Sequence, residues 1–488
     1  MTYKKRILNI SLRIQNLHRL IFVGLYLALI SIFSLTSTDK QFIFQKDKNV
    51  CGIYCQMALD YSNKLFNQQF DIYYFQKSLV SLLTYLTVNL MNVSNTPATI
   101  NIITEAFSLF ALFIGGYYWW KIANFSKFST TNFWLVFFGI FGSQLFVKVS
   151  PYSQDGSDNI SFSLGMAALY FTIIESRKGI FFAYALSFLV QPQLRILIVP
   201  IIIFFGYKIS VAENRKLKSR IFSRIIFLAY VLFFVSSFII FTYIFPLSHG
   251  VNHSLVLFIP LSIIISSIML TKLMVGTIPD NLVKLFFNML PLIKNRVIAL
   301  IFIEVVFQTF IRFIGKGEIM SINSKPLGQL YFLLGNYFHA VAFPFLWIVA
   351  PIIFYGPMVI LFIIYYKKIF NFSIFSANFG LGLSFLLIIL LIPNTESRHH
   401  IAYIPWIFYF LVKNAEFHIK YLFIIYIPLM ILTSRFYGEY GPVNLPNDPY
   451  LFSWGPWYSF KTYLFGTLIS LLALLIHGLI IRTISKSK

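Results

Sequence analysis

An all-α, polytopic transmembrane helical bundle is the fold class this sequence predicts, and three observations predict it. The 488 residues are 58% hydrophobic. Only 11% are charged, against roughly 25% in a soluble domain, whose surface has to be wetted. Apolar runs of about 17–25 residues recur along the chain, the length at which a helix crosses hydrocarbon with its own backbone hydrogen-bonded throughout. No stretch of soluble-domain size is left over, so residues 1–488 form a single integral membrane domain.

About fourteen crossings are expected by this criterion. They fall near residues 20–36, 99–119, 132–149, 160–175, 179–190, 194–207, 225–246, 254–271, 297–312, 340–366, 373–393, 401–412, 421–434 and 463–481. The first follows a basic stretch but has no small-residue cleavage site, so it is expected to be retained. The pair 179–190 and 194–207 is short and can instead be one helix kinked at Pro192, which would invert everything downstream. Charge decides between the two. With two crossings both termini lie inside (N-in, C-in), and about two thirds of the 39 Lys and Arg fall on the cytoplasmic side, including the basic run 208–224. A single kinked helix would put that run outside.

The net charge of +23 therefore follows from positive-inside insertion, and nucleic acid is not expected as a partner. Inner loops are short and basic, as at Lys121–Lys127, Arg177–Lys178 and Lys367–Lys368. Segment 279–296 has apolar residues at helical spacing and is expected to lie flat on the inner surface. Outer loops, at 37–98, 150–159, 313–339, 394–400 and 435–462, are chemically mixed. The two cysteines, Cys51 and Cys55, are either small residues on one helical face or a local disulfide.

Chemistry is expected on the outer face. The first outer loop carries Asp39, Asp47, Asp60 and Asp71, any of which is a solvated carboxylate, a helix cap or a general base. In PYSQDGSDN, residues 151–159, Asp155 and Asp158 flank a glycine and are candidate oxygen ligands for a divalent cation such as Mg2+ or Mn2+. The same residues suit the turn and N-cap of the next helix. Arg195 borders two half-length apolar segments and either snorkels or meets a lipid phosphate.

The stretch NTESRHHIAYIPW, 394–406, places Glu396, Arg398, His399 and His400 between two hydrocarbon-like segments. No positive-inside pressure accounts for a basic cluster at the outer face. Arg398 offers a planar fork that matches phosphate oxygens, and a histidine adds a donor or accepts a proton. Two adjacent histidines make a poor metal pair, because neighbours on a helix point about 100° apart. The expectation is phosphate recognition at the membrane surface, with a Glu396–Arg398 ion pair as the structural alternative. Trp454 and Trp457, in GPVNLPNDPYLFSWGPWY (441–458), are candidates for stacking on a sugar ring or for an interfacial belt.

Four stretches carry a resemblance to a known superfamily: CGIYCQMALD (51–60), FDIYYFQKSL (70–79), YSQDGSDN (152–159) and ESRHHIAYIPW (396–406). Together they resemble the GT-C superfamily of membrane glycosyltransferases, over about a tenth of the chain. The resemblance implies a polyprenyl-phosphate-linked sugar as donor and a cell-envelope glycan or lipid as acceptor. It also implies inverting transfer at the outer face of a bacterial inner (plasma) membrane. Donor phosphate would lie near Arg398, His399, His400 and Arg195. Where the superfamily has its catalytic aspartate this chain has Cys51, so Asp47 and then Asp60 are the implied bases. An O-antigen or capsule polymerase is the alternative of the same class. A flippase-type transporter is the rival outside it, with Glu105 and Glu304, placed within spans, as its carriers.

Overall fold

The computed structural model describes residues 16–32, 53–70, 75–143, 157–208, 220–244, 257–279, 282–315, 328–369, 374–375, 378–394, 400–414, 426 and 460–486. Among them the chain is helical, joined by turns and one isolated bridge between Gln69 and Gly315. Five helices are long and apolar enough to cross a membrane: Pro97–Phe125, Ile221–Tyr243, Ile259–Thr277, Lys284–Ile314 and Phe460–Thr483. A sixth is added when the bent pair Leu333–Val341 and Leu346–Tyr355 counts as one span. Three of the five, Ile221–Tyr243, Lys284–Ile314 and Phe460–Thr483, are only 22%, 17% and 22% buried along their apolar windows. Surfaces of that size and greasiness need lipid, since water would drive them to associate. The chain is a helical, multi-pass membrane protein.

Several helices start where local chemistry starts them. Thr96 caps Pro97–Phe125 by accepting from the Thr99 amide at 3.3 Å, and Pro97 fills a first-turn position that needs no donor. Ser176 and Asn378 cap Arg177–Ser187 and Phe379–Leu391 in the same way. Pro192 also opens a helix, Pro192–Ile203, after a turn at 188–191. The two short segments are therefore separate helices and not one kinked rod. At 11 and 12 residues each is about 16–18 Å long, short of the roughly 30 Å hydrocarbon core.

Other boundaries differ from expectation. Segment 279–296 is continuous with the following span in one 33-residue helix, Leu282–Ile314, about 50 Å long. It is not a separate surface helix, because Pro291 inside it does not divide it. Gly328–Ala342, expected in an outer loop, is helical. The expected span 340–366 is broken near its start: Leu333–Val341 and Leu346–Tyr355 meet at 92°, with Phe345 in a left-handed conformation at φ 61°. Such a break leaves backbone groups that lipid cannot satisfy. Ser262 accepts the Phe345 amide at 3.1 Å, and the Tyr463 hydroxyl donates to the Pro344 carbonyl at 2.7 Å. The expected span 421–434 lies, apart from Tyr426, outside the described residues. Cys55 is disulfide-bonded, which selects the second of the two cysteine readings.

Polar contacts define two ends of the bundle. At one, Arg19 donates to the Phe128 carbonyl (3.3 Å) and the Thr130 hydroxyl (2.9 Å), Lys208 meets Glu175 at 2.5 Å, and Arg296 donates to the Ile203 and Phe205 carbonyls at 3.0 Å. At the other, the Phe70 amide donates to Ile314 (3.4 Å), the Leu79 amide to Leu189 (3.0 Å) and Asn95 to Leu59 (3.1 Å). There the short helices Ile53–Leu59 and Tyr61–Phe66 seat Tyr54, Met57 and Tyr61 against Ile311 and Ile314.

One close approach fixes the region of interest. A side chain at Gly165, on Ser157–Ile173, would overlap the backbone carbonyl of Ala402, and the Trp406 indole donates to the Gly165 carbonyl at 2.9 Å. Gly165→Leu is therefore expected to destabilise the fold by about 1–3 kcal/mol and to lower the melting temperature in detergent. Gly24→Leu, with nothing within 4 Å of its added atom, should melt like wild type. Equal melting of the two variants would refute the close approach.

Candidate functional site

The Gly165–Trp406 contact brings two of the sequence candidates into one neighbourhood. Asp158 sits in the first turn of Ser157–Ile173 and is buried (7% exposed). That helix is held to Pro97–Phe125 by Asn159, which donates to Ser108 at 2.6 Å, and by Ser163, which donates to the Ala111 carbonyl. His400 opens the turn before Ile404–Asn414 and is 4% exposed. Tyr355 links them: its hydroxyl is within electrostatic reach of both Asp158 and Tyr403. The Tyr403 ring lies 5.4 Å from the His400 ring.

The imidazole of His400 is positioned by backbone. It hydrogen-bonds the carbonyls of Leu391 and Asn394, and its Nε2 has no partner. The nitrogen that meets the carbonyls is therefore Nδ1, carrying the proton, and Nε2 is left with its lone pair. Burial pushes the His400 pKa down to about 4, against the smaller upward pull of the two carbonyls. Of the two roles the sequence left open for this histidine, donor or acceptor, the neutral ring with a free Nε2 fits the acceptor.

His400 and Tyr403 line a cavity of about 220 Å³ whose other walls are nearly all apolar, among them Leu273, Trp347, Pro351 and Phe362. Lys272, exposed at its edge, is the one charged side chain among the described lining residues. The break at Phe345 delivers this wall. It turns Leu346–Tyr355 across the bundle, and the Trp347 indole is anchored on the Ser266 hydroxyl at 3.0 Å.

Arg195 belongs to a different place. It is 6% exposed on Pro192–Ile203, with Nε 3.1 Å from Glu304 Oε1. The Tyr184 hydroxyl donates to the same oxygen at 3.0 Å. The guanidinium carbon lies 4.7 Å from the Phe188 ring centroid and 5.2 Å from that of Phe307, a cation–π sandwich. Nη1 has no partner. Tyr184, Phe188 and Phe307 line a second apolar cavity, of about 820 Å³, which continues to Tyr61, Leu65 and Phe75 of the first outer segment. Arg195 does not snorkel; Glu304, named in the sequence only for the transporter rival, holds it.

His400 lines the smaller cavity, whereas Arg195 stacks on two wall residues of the larger one, so the two do not form one phosphate site. Asp60 lies in the turn between the two short helices of the first outer segment, its carboxylate accepting from Asn63 at 2.6 Å; Tyr61, next to it, reaches the larger cavity. Asp47, Asp155, Arg398, His399, Trp454 and Trp457 lie outside the described residues. Among the described residues no three His, Cys, Asp or Glu side chains converge as metal ligands. Of the candidate cation pair only Asp158 falls among the described residues. Sequence reasoning missed Tyr403, although its spacing of three from His400 is the helical same-face signal. Tyr355 gave no signal, because only the broken span brings it to Asp158.

Compared with known proteins, the chain matches no family model, no curated protein and no solved structure.

Two measurements test this geometry. Removing Glu304 strands a buried guanidinium, so Glu304→Ala should cost about 3–5 kcal/mol, whereas replacing both partners by leucine should cost much less. Additive losses in a double-mutant cycle by denaturant titration would show that the two side chains do not interact. For His400, the unfolded chain takes up its proton near pH 6.5 and the folded chain only near 4. Stability should therefore fall as pH drops through that window and level off below it. His400→Gln should flatten part of this decline in melting temperature; parallel curves would place the titration elsewhere.

Proposed function

We propose that this protein is a membrane glycosyltransferase that moves a sugar from a polyprenyl-phosphate donor to a cell-envelope glycan or lipid acceptor at the outer face. The observation that carries the reading is the cavity of about 820 Å³ that runs from Tyr61, Leu65 and Phe75 to Phe188 and Phe307, the two rings on which Arg195 stacks. An isoprenoid chain suits its aromatic and aliphatic walls, and Arg195, stacked on two of them, carries an unpartnered Nη1 as the nearby cation for a phosphate. With the sidedness expected from charge, about fourteen crossings and both termini inside, the cavity residues Tyr61, Leu65 and Phe75 belong to the first outer loop.

In this mechanism an aspartate of the first outer loop, Asp47 or Asp60, takes the proton of the acceptor hydroxyl. The oxygen attacks the anomeric carbon in line and the lipid phosphate leaves, with inversion. Arg398 and Arg195 stabilise the charge growing on that phosphate, an electrostatic contribution of the kind that often dominates. An O-antigen or capsule polymerase would use the same donor chemistry with a growing glycan as acceptor. The second reading, a lipid or polysaccharide flippase, is favoured by the Arg195–Glu304 pair, since charged groups within spans mark transport pathways.

Membranes containing the protein, given a radiolabelled polyprenyl-phosphate hexose and a crude acceptor glycan, should transfer label. Arg398→Ala and Asp47→Asn should each lower transfer by about a hundredfold or more, the size of a lost electrostatic or acid–base contribution. Loss in Arg398→Ala alone moves the base to Asp60. No transfer from wild type with any lipid-linked sugar excludes the enzyme, and a lipid-translocation assay on Glu304→Gln then tests the flippase.

A further inference from the structure

The smaller cavity has a polar signature of its own. Two buried side-chain atoms in its walls, His400 Nε2 and the Tyr403 hydroxyl, have no hydrogen-bond partner. Each such orphan costs about 1–3 kcal/mol if nothing meets it, and the two rings are neighbours at 5.4 Å. With Nδ1 committed to the Leu391 and Asn394 carbonyls, Nε2 presents a lone pair; the phenol beside it can donate. The matching ligand group must donate to one and accept from the other.

A hydroxyl does both. A carboxylate or phosphate only accepts, and would set its oxygens against the Nε2 lone pair. An ammonium only donates, and would share the cavity with Lys272 and no acidic side chain among the described lining residues. The other titratable side chains there, Tyr366 and Tyr403, are phenols. The remaining walls are hydrocarbon and aromatic, so the hydroxyl comes attached to an apolar chain. At ~30 Å³ per water-sized group, about 220 Å³ holds roughly seven such groups. The head and the first carbons fit inside, and the rest of the chain leaves past the exposed Lys272.

We propose that this cavity binds the hydroxyl end of an uncharged lipid alcohol, held between His400 Nε2 and the Tyr403 hydroxyl. The assignment concerns binding alone and does not rest on the glycosyl-transfer reading. Isoprenoid alcohols and diacylglycerols present the same chemistry, and the test separates them.

Purified full-length protein in nanodiscs would be photolabelled with a diazirine-bearing decanol and the labelled peptides identified. Label is expected around Trp347, Phe362 and Tyr403 and should be displaced by decanol. Decyl phosphate and decanoate should compete at least about tenfold less well, reflecting a lost or repulsive hydrogen bond. Farnesol competing better than dioctanoylglycerol assigns an isoprenoid source, and the reverse order a glyceride. His400→Phe and Tyr403→Phe should each weaken labelling roughly fivefold, while His400→Gln, which keeps an acceptor, retains most of it. Equal competition by decyl phosphate overturns the neutral-head assignment. Labelling no stronger there than on the lipid-facing Phe460–Thr483 helix means that water alone fills the site, and this overturns the proposal. The wild-type competition series decides even if a variant fails to fold.

Discussion

In hydrocarbon a backbone N–H or C=O has no water to turn to, and this constraint organises everything else in the bundle. Helices meet it within themselves. The chain therefore uses irregular backbone only where another part of the protein supplies partners. The break at Phe345 shows how this works. Its amide is taken by a serine on a neighbouring helix and the preceding carbonyl by a tyrosine on the last one. Those two side chains allow a 92° bend, and the bend turns Trp347 and Pro351 into a cavity wall instead of a lipid-facing surface.

Polar side chains obey the same rule with less slack. Arg195 enters the bundle only because Glu304, Tyr184 and two aromatic faces receive it. His400 enters as a neutral ring tied to two carbonyls. Each residue keeps one atom unpaired; His400 lines an apolar cavity, and Arg195 stacks on two wall residues of another. A membrane interior with so few polar partners makes such leftovers expensive, so they are the places where a ligand has most to contribute. The two centres differ in kind. One is a compensated cation beside a large cavity; the other is a neutral donor–acceptor pair beside a small one.

Cavity walls depend on close packing as well as on hydrogen bonds. Gly165 lets the Ser157–Ile173 helix touch the backbone at Ala402, and Gly380 does the same for Phe379–Leu391 against the carbonyl of Pro200. Small residues at helix crossings are how membrane bundles gain van der Waals contact without a hydrophobic driving force. The first of these contacts decides that Asp158 and His400, 242 positions apart in sequence, share a neighbourhood.

Composition by itself determined the helical membrane class, because so few charged residues cannot wet a globule of this length. The positions of Lys and Arg also sorted the connecting segments by side. The contacts of Lys208 with Glu175 and of Leu79 with Leu189 group segments at two ends of the bundle without saying which end faces which side. The caps at Thr96 and Ser176 were not read from the sequence and emerge from the structure. The continuous Leu282–Ile314 helix and the broken span at Phe345 were not legible there either, since hydropathy reports how apolar a segment is and not which partners its backbone will find. Of the candidate site, His400 and Asp158 were visible as isolated polar residues in a greasy chain. That His400 is neutral, that Arg195 is claimed by Glu304, and that the two stand in separate neighbourhoods are decisions of tertiary structure. They depend on burial and on partners far away in sequence, and no local pattern encodes either.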